Sequence, residues 1–283
     1  MTRRTGFIRA ATVALTSLLV LGTAFGAGAS PAQAAASDAP PFTAFSLNVA
    51  FDMSTARATS DAVKAMNVGS VGGFQEYSGR ADREALLRAS TARGFAVFMP
   101  DGNGVNVPIV WRRARFDLVT QQSLTVYGLQ PGLSKARAIN VVRLRDKLSG
   151  RLYGFVNTHT ISGGASAAEP TGRTRKVSLL RYHLTRLRTV VARLSQDTHG
   201  VIAVGDWNVN YLADQRKQVA GFPTSRLGDL VNFDMPATGS RGATSLLDYV
   251  VSTKTARLDR VSSRIVAPFY SDHDAVATVY QPR

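Results

Sequence analysis

The chain has 283 residues, 45% of them hydrophobic, and carries 34 Lys and Arg against 19 Asp and Glu, a net charge of +15. It holds no cysteine, which excludes disulfides, thiolate metal sites and a cysteine nucleophile. So basic a balance favours an anionic partner such as nucleic acid, anionic lipid or cell-wall polymer, without choosing among them.

Residues 1–34 read as a secretory signal peptide. Arg3, Arg4 and Arg9 form a basic start, Ala10 to Ala27 is apolar and small, and Ala32-Gln33-Ala34 is an A-x-A cleavage signal. Gly22, Gly26 and Gly28 argue against a retained spanning helix. Arg3-Arg4 ahead of Phe7-Ile8 is also a loose twin-arginine pattern. The expected location is extracellular, by the Sec or twin-arginine route, with no stable membrane anchor. Residues 35–41 are a short flexible leader.

The alternation of Phe42 to Val49 predicts a first strand ending near Asn48, and Arg57 to Met66 a helix. Val71 to Phe74 is a strand running into Gln75-Glu76, followed by a helix over Arg80 to Arg93. Strands follow at Phe95 to Met99, Val105 to Trp111 and Phe116 to Tyr127, the first two joined by the turn residues Asp101-Gly102-Asn103-Gly104. Ala138 to Arg145 and Leu152 to Thr160 are two more. Residues 161–172 form a Gly/Ser/Ala-rich loop. The longest helix spans Arg173 to Gln196, with Val177, Leu180, Leu184, Leu187, Val191 and Leu194 on one face and seven cations elsewhere. Most of those cations read as a solvated face; Arg173 to Lys176, directly after the loop, are candidates for substrate contact. His183, at the edge of the apolar stripe, and His199, in a loop, read as packing and surface residues. Val201 to Gly205 is a buried strand, 211–240 is irregular with a helix over Leu212 to Ala220, and three strands close the chain at Thr244 to Ser252, Leu258 to Val266 and Ala275 to Tyr280. Strands dominate and helices are spread between them, which predicts one α+β domain with sheets as its core.

Chemistry-bearing groups cluster at strand ends. Val201 to Asn210 runs from four apolar residues through Gly205 into Asp206-Trp207-Asn208, where the period of two sets Asp206 and Asn208 on one side and Trp207 on the other. Asn48, Glu76 and His159 end other strands. Asp248 lies inside the apolar run Ser245 to Val251, so its charge requires a partner, and histidine suits. Asp272 and His273 precede the last strand. A strand-end carboxylate such as Glu76 suits a hard cation.

In this order Asn48, Gln75-Glu76, Asn157-Thr158-His159, Gly205-Asp206-Trp207-Asn208, Leu247-Asp248-Tyr249 and Ser271-Asp272-His273 resemble the endonuclease/exonuclease/phosphatase superfamily, over residues 42 to 281. The resemblance implies a deoxyribonuclease I-like domain over 42–283, a four-layer α/β/β/α sandwich of two mainly antiparallel sheets flanked by helices. It implies a Mg²⁺-dependent phosphodiesterase or phosphatase, with Mn²⁺ or Ca²⁺ as alternative ions. Carried over by position, Glu76 is the chief metal ligand with Asn48 and Asp272 nearby. Asp206 orients or deprotonates the attacking water. Asn208 and His159 hold the scissile phosphate, and His159 assists the leaving oxygen; Arg173, from its place directly after the loop rather than from the resemblance, is a further candidate for phosphate contact. His273 is the base or phosphate stabiliser, and Asp248 fixes its ring. Two positions depart from the pattern: Ala50 stands where many members have a second acid, and no Glu between Glu84 and Glu169 is available to pair with His159.

A monomeric secreted nuclease is the leading expectation, from the basic charge and the clusters at Arg112, Arg113 and Arg115, at Lys135 and Arg137, and at Arg173 to Lys176. A sphingomyelinase-type lipid phosphodiesterase would show exposed apolar loops near the site, for which Phe222-Pro223 and Pro268-Phe269-Tyr270 are the candidates. A small-molecule phosphatase is a third reading. A non-catalytic binding protein on this fold is a fourth, disfavoured by the complete set of polar groups.

Overall fold

The computed structural model describes residues 39–165, 170–242 and 244–283, with side chains left aside at 170–173. The signal peptide, most of the leader and the Arg173 side chain therefore lie outside the described residues. No helix among the described residues is long and apolar enough to cross a membrane.

Among the described residues twelve strands form two six-stranded sheets. The first has the order β11-β12-β1-β2-β4-β3, built from β1 (Phe42–Asn48), β2 (Val71–Gln75), β3 (Phe95–Phe98), β4 (Ile109–Arg112), β11 (Leu258–Val266) and β12 (Ala275–Pro282). The second has the order β5-β6-β7-β8-β10-β9, from β5 (Phe116–Tyr127), β6 (Arg137–Asp146), β7 (Leu152–His159), β8 (Val201–Asp206), β9 (Val231–Phe233) and β10 (Asp248–Thr253). Each sheet is antiparallel except at its centre, where β1 runs parallel to β2 and β7 parallel to β8. A parallel pair needs a crossover, and a helix supplies it each time: α1 (Thr55–Val68) between β1 and β2, and α3 (Pro170–Gln196) between β7 and β8.

The sheets pack face to face through Phe42, Ala44, Ile109, Val142 and Val204. Ala58, Ala62, Ala65 and Met66 of α1 and Leu86 and Ala89 of α2 (Arg80–Ala92) cover the outer face of the first sheet against Phe45, Leu47 and Phe74. Leu180, Leu184, Leu187 and Val191 put α3 on the outer face of the second. The expected sandwich with helices outside is present. Each fully buried Leu of α3 contributes about 1.5–3 kcal/mol through area removed from water.

The deviations have local causes. The strand expected from Val105 begins only at Ile109, because Pro108 has no N–H to donate and Asn140 Nδ2 ties the Gly104 and Val107 carbonyls into a turn, at 2.8 Å each. The strand expected from Thr244 begins at Asp248, since the preceding loop folds on Ser240. The longest helix starts at Pro170 rather than Arg173, proline being suited to a first helical turn. The helix expected over 212–220 stops at Lys217, where Gln218 caps it at φ 46. A short helix, α5 (Pro223–Leu227), and the edge strand β9 occupy a stretch expected to be irregular.

Candidate active site

A parallel pair sends both carboxyl ends to the same edge of its sheet, and both pairs here do so at one end of the sandwich. Asn48 ends β1, Glu76 follows β2, His159 ends β7 and Asp206 ends β8. The registers place Asn48 beside Gln75, His159 beside Asp206, and Asp248 opposite Asp206 on the antiparallel neighbour β10. The sheets are tied beneath the site by Asn157, whose Nδ2 donates to the Phe74 and Pro108 carbonyls at 2.8 and 2.9 Å and whose Oδ1 accepts from Gln75 Nε2 at 2.8 Å. Position 73 must be glycine for this tie, since a Cβ would come within 2.4 Å of the Asn157 side chain. Gly205 has φ 150, and a Cβ there would meet the Thr158 carbonyl oxygen at 1.9 Å.

Asp206 is the hub. Its Oδ1 accepts from the Asn208 backbone N–H at 2.8 Å, and its Oδ2 accepts from Asn48 Nδ2 at 3.0 Å. His159 Nε2 lies 3.5 Å from Oδ2 and His273 Nε2 lies 4.0 Å from it. Trp207 is buried and stacked on Tyr249 at 4.2 Å, which anchors the polar residues on either side of it. Burial, followed by the nearby Asp248 carboxylate, pushes the Asp206 carboxyl up to about 6.

The two histidines have different partners. His273 Nδ1 meets Asp248 Oδ2 at 2.7 Å, and that oxygen also accepts from Ser240 Oγ at 2.7 Å. Burial pulls the His273 imidazole down, but Asp248, then Asp206 and Asp272, outweigh it and raise it to about 9. His159 Nε2 lies 3.0 Å from Asn208 Nδ2, while its buried Nδ1 has no hydrogen-bond partner among the described residues. Burial, reinforced by Arg137 and the other histidines, holds His159 well below its usual value. An amide nitrogen only donates, so His159 Nε2 accepts and the ring is neutral.

These groups floor an open cleft of about 1190 Å³, lined by the cations Arg57, Lys135, Lys176 and Arg241 and by the buried Arg137. Every expected site residue with a described side chain, apart from the buried Asp248, lines it. Two of the three expected basic clusters reach the cleft, through Lys135, Arg137 and Lys176. The third does not. Arg112 pairs in register near the amino end of β2, the opposite end of the sandwich; Arg112 donates to the Met66 carbonyl and Arg115 is locked on Asp146 at 2.6 Å. Phe222 is only 9% exposed, so it offers no lipid-facing surface.

No family model and no curated protein sequence matches the chain. Solved structures do. An endonuclease/exonuclease/phosphatase from Bacteroides vulgatus matches 86% of this chain and 100% of its own, at 13% identity and a TM-score of 0.64. The human Nocturnin catalytic domain with bound sulfate matches 86% of this chain and 95% of its own, at 16% identity and a TM-score of 0.60. A Bacteroides thetaiotaomicron mannosyl-6-phosphatase matches 84% and 98%, at 14% identity and a TM-score of 0.57. The fold is that of the endonuclease/exonuclease/phosphatase superfamily.

The three expected metal ligands, Asn48, Glu76 and Asp272, all line the cleft. Among the described residues no three His, Asp or Glu side chains converge as a metal cage. Asn48 Oδ1 accepts from the Ala50 N–H at 3.0 Å and keeps a second lone pair, and Asp272 is paired with Arg241 through Oδ2, which leaves Oδ1. Glu76 sits at φ 73, a left-handed conformation held for a non-glycine residue at the cleft, and its Oε2 accepts from the Phe51 N–H at 2.7 Å. A few protein oxygens rather than a closed cage suit Mg²⁺, which keeps most of its waters.

Sequence reasoning missed the residues that hold the loop carrying His273. Asp61 of α1 is buried and accepts from the Tyr270 and Ser271 N–H groups at 3.1 and 2.9 Å. Ser271 Oγ donates to the Asn48 carbonyl at 2.7 Å. A signal for Asp61 existed: it lies among Ala58, Ala62 and Ala65 on the helix's apolar stripe, where a charge needs partners. Ser240, Arg57 and Arg241 carried no such signal.

Proposed function

We propose that the protein is a secreted, Mg²⁺-dependent phosphodiesterase whose substrate is nucleic acid, acting as a monomer. The carrying observation is geometric: Asp206, fixed by Asn48 and the Asn208 N–H, and His273, fixed by Asp248, lie 4.0 Å apart in a cleft lined by cations. Both groups are raised, Asp206 to about 6 and His273 to about 9. Between those values Asp206 is a base and His273 is a cation, so the pair divides base and acid work at neutral pH.

Asp206, fixed by Asn48 and by the Asn208 N–H, takes the proton from the attacking water. His273, its Nδ1 held by Asp248, turns a charged Nε2–H to the cleft and stabilises the charge that grows on the phosphoryl oxygens. Asn208 supplies an amide donor to the same group by turning its second N–H from the Thr160 carbonyl, 3.4 Å away, to the phosphate. His159, neutral and accepting from Asn208, orients that amide rather than protonating the leaving oxygen. Mg²⁺ at Glu76 supplies further charge neutralisation when bound. The rim cations hold neighbouring phosphates, which favours a polyanion over a small monoester.

The test is cleavage of single-stranded DNA, RNA and plasmid DNA in Mg²⁺, with EDTA and a His273→Asn variant as controls. Asparagine keeps a donor for the buried Asp248 while removing the charged ring, so folding is retained. Cleavage of at least one of these nucleic acids that EDTA abolishes and His273→Asn cuts by about 10³-fold is the expected result. Turnover of sphingomyelin or a generic phosphomonoester, with no action on DNA or RNA, would refute the nucleic-acid reading and leave the chemistry standing.

A further inference from the structure

Three aromatic side chains stand out as exposed among the described residues, Phe51 at 64%, Tyr270 at 62% and Tyr182 at 49%, and the first two line the cleft. They come from different loops. Phe51 follows β1 and Tyr270 lies between β11 and β12. Neither is a stray ring. The Phe51 N–H is fastened to Glu76, and the Tyr270 N–H to Asp61. Each also faces a cation: Lys135 Nζ lies 4.9 Å from the Phe51 ring centre, and the Arg57 guanidinium 5.4 Å from that of Tyr270. The Lys135 contact spans the two sheets, from the loop before β6 to the loop after β1.

A flat apolar face beside a cation matches one nucleotide, an uncharged base next to an anionic phosphate. Resting on the phosphodiesterase reading above, we propose that Phe51 and Tyr270 are platforms on which bases flanking the scissile phosphate stack, so that the substrate is a single-stranded nucleic acid. In a duplex both faces of each base are occupied by neighbours; only an unpaired strand offers them to side chains. A membrane surface fits less well. It calls for a continuous apolar patch, whereas these rings stand on separate loops beside charges, and the neighbouring Phe269 is half-buried with Lys64 4.8 Å from its ring centre.

Fluorescence anisotropy in EDTA separates binding from turnover. The probes are a labelled single-stranded DNA oligomer and an abasic oligomer of the same length and charge. Phe51→Ala and Tyr270→Ala each weaken binding of the base-bearing strand about tenfold and the abasic strand less than about twofold, and Phe51→Trp restores it. Both side chains are exposed and both anchoring hydrogen bonds use the backbone, so neither change threatens folding. Equal weakening on both probes, or none on either, overturns the platforms while leaving the hydrolase reading intact. Loss of binding to vesicles of phosphatidylcholine and phosphatidylserine, with oligomer affinity unchanged, overturns them in favour of a membrane contact. Failure of the phosphodiesterase reading appears elsewhere, as a wild-type chain that cleaves no nucleic acid in Mg²⁺.

Discussion

The two histidines of the cleft sit on the ends of different sheets and point at the same carboxylate, yet their surroundings set them in opposite charge states. Around His273 stand Asp248, Asp206 and Asp272, which raise it to about 9. Around His159 stand Arg137, Lys135 and two other histidines, and these reinforce burial in keeping it neutral. The same side chain, equally shut from water, becomes a cation on the carboxylate side and a neutral acceptor on the cation side. Burial alone therefore does not decide the role of a site histidine; the sign of its neighbours does.

Asp248→Asn attacks the carboxylate side and carries the largest expected effect. The wild-type rate should rise with pH near 6 as Asp206 ionises and fall near 9 as His273 loses its proton, as apparent values of the coupled pair. The variant should lose about 10³-fold in kcat, and its alkaline limb should move from about 9 toward the ordinary 6.5. Stability gives an independent reading. A raised imidazole contributes stability fully below 6.5 that is lost as pH rises through about 9, so wild-type Tm should decline across that window and the variant's should not. The raised Asp206 also lowers Tm with rising pH, but between 3.8 and about 6, so the windows stay apart. An unmoved alkaline limb would remove His273 from the charged role.

His159→Gln tests the other side. Glutamine still accepts from Asn208, so the loss should be about tenfold in kcat, the scale of one organised hydrogen bond. Because His159 is already neutral, both pH limbs should stay in place. A shifted limb, or a loss near that of Asp248→Asn, would restore His159 as the acid on the leaving oxygen.

How far this asymmetry was legible in the sequence follows from what each residue signals. Asp248 could be paired with a histidine from its apolar run alone, and the structure supplies His273 at 2.7 Å. The period of two placed Asp206 and Asn208 together and Trp207 apart. The absent middle-strand Glu agrees with a His159 Nδ1 that has no hydrogen-bond partner among the described residues. The charge state of His159 was not legible, because Arg137 reaches it from β6 through sheet pairing that no local pattern encodes. The same holds for rim against far end. Runs of arginine look alike in sequence, and only strand direction shows that Lys135 and Lys176 meet the cleft while Arg112 to Arg115 do not.

That last distinction yields the smallest prediction. Lys176 lies on the rim with no role in proton transfer, and Arg113 lies at the far end, donating to the Thr91 carbonyl at 3.4 Å. Both are single positive charges on a strongly basic chain, so net charge treats their loss alike. Local phosphate contact does not. Lys176→Ala should raise KM for a nucleic-acid strand severalfold at constant kcat and flatten the dependence of log affinity on log salt by about 0.7 to 0.9. Arg113→Ala should leave both unchanged at moderate ionic strength, where a Debye length of about 8 Å screens it from the cleft. Equal effects from the two would mean that diffuse charge, rather than a rim built on the His159 side, recruits the substrate.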